Sequence, residues 1–83
     1  MKIMSREFIA HLKEQYPSGT RVTLNNMENE PQMPHGLEGA VLVVDDIGQI
    51  HVNWDNGSTL ALNVRTDSFV KAVNDPPEPN MQM

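Results

Sequence analysis

Two tight-turn signatures bracket a stretch of alternating side chains, and this arrangement restricts the fold more than any other feature. Asp45-Asp46-Ile47-Gly48 precedes residues 49–54, and Asp55-Asn56-Gly57 follows them. Aspartate and asparagine tolerate turn backbone, and the closing glycine supplies the positive φ that a hairpin turn needs. The second of these turns is a strong hairpin signal. The sequence therefore predicts a strand at residues 49–54 between two tight turns.

The alternation within residues 49–54 also assigns the two faces of that strand. Ile50, Val52 and Trp54 fall on one face, which we expect to be the core face, while His51 and Asn53 fall on the other. Further strands are predicted at residues 20–24, 39–44, 58–62 and 68–73, the second of them as a buried β-branched run. The inward side chains of the first and fourth strands are predicted as Val22, Leu24, Leu60 and Leu62.

The start of the chain predicts one short helix. Ser5 is a good N-cap, and Pro17 and Gly19 stop the helix. A helix of about ten residues is marginal in isolation, so we expect it to pack on something. The simpler interpretation is that its apolar stripe covers one end of the sheet, and the alternative is that the stripe binds a partner. The stripe consists of Phe8, Ile9, Leu12 and Tyr16.

A polar loop and a proline-rich end complete the predicted organisation. Residues 25–36 form a long early loop, and loops of this length are often functional or mobile. Residues 75–83 are rich in proline and poor in apolar side chains, which favours a disordered tail. We therefore expect a helical segment at 1–18, a small five-stranded barrel at 19–74 and the tail. Closing the strands into a barrel would remove exposed sheet edges.

Composition excludes several classes of structure and site. The 83 residues suffice for one domain with a small core, and the absence of cysteine excludes disulfides and thiolate metal ligands. No apolar run approaches the roughly 20 residues that cross a bilayer, and we see no signal peptide. The expectation is a cytoplasmic protein with no membrane contact.

Charge is divided unevenly along the chain. Residues 1–21 hold four basic and two acidic side chains, a balance of +2, whereas residues 22–83 hold two basic and nine acidic ones, a balance of −7. Phosphate contacts supply much of the affinity for nucleic acids, and an acidic surface repels phosphates. The predicted barrel is therefore better suited to a protein partner.

The order of glycines and turns resembles a known family. The motifs are Gly19-Thr20-Arg21-Val22, then Gly36 to Val41, then Val44 to Ser58 with its Trp-Asp-Asn-Gly turn. Over about residues 16–69 the chain resembles small domains of unknown function from Gram-positive bacteria and their mobile elements. It is also similar to the wider SH3-like group, which includes a domain of some eukaryotic ubiquitin ligases. The resemblance implies an SH3-like barrel and brings no catalytic residue with it.

No residue pattern predicts catalysis, a metal or a cofactor. The three histidines have no zinc-ligand spacing, and neighbouring Asp45 and Asp46 are explained better by turn formation than by acid–base chemistry. Ser58 and Thr59 have no evident base, and the Gly36-Leu37-Glu38-Gly39 segment has no lysine to bind phosphate. We therefore expect a non-enzyme.

The favoured function is a protein-interaction module, a monomer or weak homodimer. One version is an accessory or inhibitor protein of a phage or mobile element that binds a basic protein surface, such as a nucleic-acid channel. The alternative is nucleic-acid binding through Lys2, Arg6, Lys13 and Arg21. Trp54 is interpreted as core or, alternatively, as an exposed anchor. The predicted partner-binding residues are Tyr16, Met27, Glu28, Glu30, Met33, Asp45, Asp46, Trp54 and Asp55.

Overall fold

A mainly β domain with one helix occupies the part of the chain that the structure describes. The computed structural model describes residues 5–72, so the predicted tail at 75–83 lies outside the described residues. The elements in chain order are α1 (Arg6–Gln15), β1 (Arg21–Asn26), β2 (Glu38–Val44), β3 (Gln49–Trp54), β4 (Ala61–Asn63) and β5 (Ser68–Lys71).

The five strands form one antiparallel sheet in the order β4-β3-β2-β1-β5. The two edge strands are joined by residues 64–67 alone. Even fully extended, the five residue steps from Asn63 to Ser68 span about 18 Å at most, whereas the edges of a flat five-stranded sheet lie about 19 Å apart. The Asp67 N–H donates to the Asn63 carbonyl at 2.9 Å. The sheet therefore curls until its edges approach at one end. Within residues 5–72 no ladder joins β4 to β5, so the sheet is not closed.

The core lies on the inner face of this curled sheet. Trp54 is 2% exposed, and its indole N–H donates to the Leu60 carbonyl at 2.9 Å, which satisfies its one polar group. The predicted inward faces of β1 and β3 are confirmed. The other side chains with almost no exposure are Val22, Leu24, Val41, Ile50, Val52 and Leu62.

Helix α1 covers part of the core, as the sequence predicts. The Ser5 hydroxyl accepts a hydrogen bond from the Phe8 N–H at 3.0 Å, which confirms the N-cap. Ile9 and Leu12 are buried, and Tyr16 packs against the edge of the core. Phe8 is 40% exposed, so its assignment to the packed stripe is wrong. It lies about 100° around the helix from Ile9 and about 40° from Leu12, at the margin of the buried side of the helix.

The two predicted turns share one hydrogen-bonding scheme. Gly48 N–H donates to the Asp45 carbonyl at 3.1 Å, and Gly57 N–H donates to the Trp54 carbonyl at 2.9 Å. Both glycines have positive φ, 88° and 92°. A turn that ends in a left-handed glycine matches the twist of the flanking strands. These turns fix the register of β3 against both neighbours.

Two predicted strands differ from the structure. Residues 58–60 lie outside β4, because Ser58 belongs to the preceding turn and the Leu60 carbonyl accepts the indole hydrogen bond instead of a ladder bond. The sequence predicts a buried strand at residues 39–44, yet Leu42 and Val43 are 49% and 54% exposed. A register shift between Val41 and Val43 interrupts the β2–β3 ladder there. A bulge of this kind adds one residue to a strand and breaks the alternation of its faces.

The early loop is held against the core and does not extend freely. Met27 and Met33 are both buried, with 5% and 7% exposure. At its end, the Gly36 N–H donates to the Leu24 carbonyl at 2.7 Å, and the Leu24 N–H donates to the Leu37 carbonyl at 2.8 Å. The polar composition of the loop concealed these two apolar anchors.

Candidate functional site

One end of the β2–β3 hairpin is organised by a single carboxylate. Asp45 Oδ1 accepts the N–H groups of Ile47 at 3.1 Å and Gln49 at 2.9 Å, and its Oδ2 lies 2.8 Å from His51 Nε2. Partial burial raises the pKa of Asp45, but the hydrogen bonds from His51, Gln49 and Ile47 outweigh it, so the pKa is lowered below its usual value. This carboxylate is committed to holding the turn.

The neighbouring Asp46 points elsewhere, towards helix α1. Its carboxylate is 96% exposed and lies 2.8 Å from Lys13 Nζ, which connects the helix to the hairpin. A shallow groove of about 600 Å³ lies between these elements. Its lining residues are Arg6, Ile9, Ala10, Lys13 and Asp46. The two aspartates have different partners, as expected for neighbouring turn residues.

A second charged cluster lies at the other end of the sheet's outer face. The Arg21 guanidinium donates to both carboxylate oxygens of Asp55, at 2.6 and 3.3 Å, and to Glu38 at 3.4 Å. Hydrogen bonding to Asp55 raises the pKa of Arg21, against a smaller opposing effect of burial. Two carboxylates share one guanidinium, so the cluster retains a negative charge.

Aromatic and basic groups meet where α1 approaches β5. The rings of Tyr16 and Phe69 lie 5.9 Å apart and are tilted by 58°. Lys71 Nζ lies 5.1 Å from the centre of the Tyr16 ring and 3.3 Å from Gln15 Oε1. Cation–π contacts at exposed positions contribute modestly to stability. These contacts fasten the end of the helix to an edge strand.

The early loop is fastened to the β4–β5 turn through Asp67. Its carboxylate accepts the Glu28 N–H at 2.9 Å and the Asn63 N–H at 2.8 Å. The Glu28 side chain is exposed, and that of Glu30 is half-buried. Asp67 therefore has a structural role, while Glu28 contributes negative surface.

The structure separates the predicted partner-binding residues into groups. Met27, Met33 and Trp54 lie in the core and offer no surface to a partner, so we remove them from the candidate site. Asp45 and Asp46 lie at one end of β3 and Asp55 at the other, about 20 Å apart along the strand. The remaining three lie on α1's end and the early loop: Tyr16, Glu28 and Glu30.

The predicted site omits several surface residues that the alternation of side chains along the strands would have identified. If Gly39 and Val41 face inward, then Glu38, Ala40 and Leu42 face outward by alternation. The same reasoning turns Arg21 outward beside inward Val22. The exposure of Val43 has no such signal, because it depends on the bulge.

Two kinds of feature are absent from the described residues, namely a cluster of metal-binding side chains and a membrane-spanning helix. Within residues 5–72, no three histidine, cysteine, aspartate or glutamate side chains are grouped closely enough to hold a metal ion. None of the helices in the described part is long and apolar enough to cross a membrane. The fold and surface define a small mainly β domain with a helix packed on a curled antiparallel sheet.

Comparison with known protein families assigns the chain to one of them. A family model for a domain of unknown function, DUF4314, matches residues 5–72. The chain belongs to this family. No curated protein and no solved structure matches it.

Proposed function

We propose that this protein is a non-catalytic interaction module that binds a basic surface of another protein, and that its curled sheet is a small SH3-like barrel. The observation that supports the binding proposal is the charge of the described residues. Residues 5–72 hold nine carboxylate side chains and five lysine or arginine side chains. Such an excess favours association with a surface of opposite charge and speeds the encounter.

Two of the five lysine and arginine side chains in residues 5–72 form ion pairs with carboxylates of the domain. Lys13 pairs with Asp46, and Arg21 pairs with Asp55. By contrast, the carboxylates of Glu7 and Glu14 form no ion pair with another described residue. The charge that remains available for a partner is therefore mainly negative.

The barrel proposal rests on the strand order and on one short connection. The four-residue link between β4 and β5 brings opposite edges of the sheet together, and the Asp67–Asn63 hydrogen bond marks the contact. Small barrels commonly leave such seams partly open, and their faces bind peptides or protein edges.

In one version of the proposal, the protein is an accessory or inhibitor protein of a phage or other mobile element. An acidic domain is suited to occupy the basic nucleic-acid channel of a host enzyme, because its carboxylates replace phosphates in that channel. The proposed activity is then inhibition by occupancy, and it requires no cofactor.

Nucleic-acid binding is the alternative, and one observation favours it. Arg6 and Lys13 line the groove beside α1, so a phosphate could reach two cations there. The Lys13–Asp46 ion pair weighs against it, because a phosphate must displace a carboxylate.

The test is capture of partners from the native host on immobilised protein, followed by gel shifts with mixed DNA and RNA at low salt. The proposal predicts a reproducible protein partner with a basic surface that is displaced by added DNA, and no gel shift. A clear shift at micromolar protein, without a protein partner, would replace the proposal by the nucleic-acid alternative.

A further inference from the structure

The β2 bulge places two consecutive aliphatic side chains on the outside of the sheet. Leu42 and Val43 are each about half exposed, although a regular strand would bury one of any two neighbours. The bulge also gives up regular pairing between β2 and β3. Exposing aliphatic surface in water is unfavourable, so a binding role is a reason to retain this arrangement.

Two alanines add to this aliphatic surface, beside polar side chains of β3. Val43 is opposite His51 in the β2–β3 ladder, and His51 is opposite Ala61 in the β3–β4 ladder. Ala40, further along β2, faces the same side because Gly39 and Val41 face the core. We call this surface the outer sheet face; its aliphatic members are Ala40, Leu42, Val43 and Ala61, and the polar His51 and Asn53 lie among them.

Negative charge flanks the outer sheet face at both ends. At one end, Glu38 and Asp55 share the single guanidinium of Arg21. At the other end are Asp45, which is hydrogen-bonded to His51, and the highly exposed Asp46, which pairs with Lys13. The four rim carboxylates outnumber the two cations Arg21 and Lys13, so the rim is negative on balance. An apolar centre with a charged rim is the usual anatomy of a protein–protein interface.

We propose that the outer sheet face docks a protein surface with an aliphatic centre flanked by lysine or arginine. This inference rests on the proposed function and names the surface that performs it. A second copy of the chain is a poor occupant, because apposed copies would bring carboxylate rims together. An anionic membrane surface is disfavoured by the same repulsion.

The test is an NMR titration of the full-length ¹⁵N-labelled protein with two synthetic probes. The first probe is a short peptide that alternates leucine with lysine, and the second has glutamate in place of lysine. We expect the lysine peptide to shift the amide signals of Leu42, Val43, His51 and Ala61, and the glutamate peptide to leave them unchanged.

Substituted variants of the protein test whether the lysine peptide binds at Leu42 and Val43. Leu42→Thr/Val43→Thr places strand-compatible β-branched side chains at both positions but removes aliphatic surface, and we expect at least about a fivefold weaker response. Val70→Thr is the matched control, because Val70 is 52% exposed on β5, two strands away from β2. Dispersed amide spectra of both variants check that they fold.

The outcomes separate this inference from the proposed function. Shifts confined to α1 or the early loop, or an undiminished response in the double variant, overturn the docking face while leaving a protein-binding function in place. Equal responses to both peptides also overturn the docking face, since its charged rim would then have no effect. Absence of any response to either peptide contradicts the docking face alone; failure to capture a host protein contradicts the proposed function.

Discussion

At the scale of single residues, Trp54 has the largest predicted effect on stability. Its side chain is almost fully buried and its indole N–H is hydrogen-bonded to Leu60. We expect Trp54→Ala to lower the free energy of unfolding by about 3–5 kcal/mol, because it leaves a cavity in a small core. Urea denaturation followed by circular dichroism measures this change. Phe8→Ala, at an exposed aromatic residue, should cost only about 0.5 kcal/mol; similar values for both variants would contradict the placement of the core.

Gly57 tests the turn that joins β3 to β4. Its φ of +92° lies in the region that side chains disfavour, while no atom would obstruct an added Cβ. We expect Gly57→Val to lower the melting temperature clearly, since a β-branched residue resists positive φ. Gly57→Asn should be milder because asparagine tolerates this backbone. An unchanged melting temperature in the valine variant would show that the turn is formed differently.

At the scale of elements, the β2–β3 hairpin should be sensitive to acid. The pKa of Asp45 in the folded protein is lowered from 3.8, because hydrogen bonds from His51 and two backbone N–H groups outweigh partial burial. A group with a lowered folded pKa contributes stability above its unfolded pKa and loses it as pH falls through the folded value. We therefore expect the free energy of unfolding to decrease below about pH 4.

The control for this acid sensitivity is Asp45→Asn, which keeps an acceptor oxygen for the turn but cannot titrate. Urea midpoints measured from neutral pH to about pH 3 should decline less steeply for this variant than for the wild type. Identical slopes would mean that Asp45 gains no stability from its hydrogen bonds.

The elements that local chemistry specifies are the ones that the sequence predicts well. Ser5 caps the helix, and the bounds of β3 follow from glycine-closed turns on each side. The shortened β4 depends on the bond from the Trp54 indole to the Leu60 carbonyl, which is a tertiary contact. The exposure of Val43 depends on a bulge that alternation alone does not reveal.

The candidate site was predicted less completely than the fold. The turn aspartates can be recognised in the sequence, but their partners cannot. Lys13 and Arg21 are distant in sequence from the aspartates that they bind, and His51 lies within a strand. Met27 and Met33 were assigned to a polar loop, and only the folded chain shows that they enter the core. Adaptable methionine side chains suit irregular positions of this kind.

At the scale of the whole molecule, the sheet topology explains the position of the core, and the surface charge supports the proposed function. A four-residue connection between edge strands makes the sheet curl, which puts the aliphatic residues of the inner face around Trp54 and leaves carboxylates outside. The proposed role follows from that exterior, because its acidic side chains outnumber its basic ones and two of the basic ones are ion-paired within the domain.

The most direct measurement is the affinity of the purified protein for its captured partner at increasing ionic strength. The account predicts that Kd rises steadily with added salt, because opposite charges on the two surfaces are screened over about 10 Å at about 0.1 M salt. A Kd that stays constant across this range would contradict binding through an acidic surface.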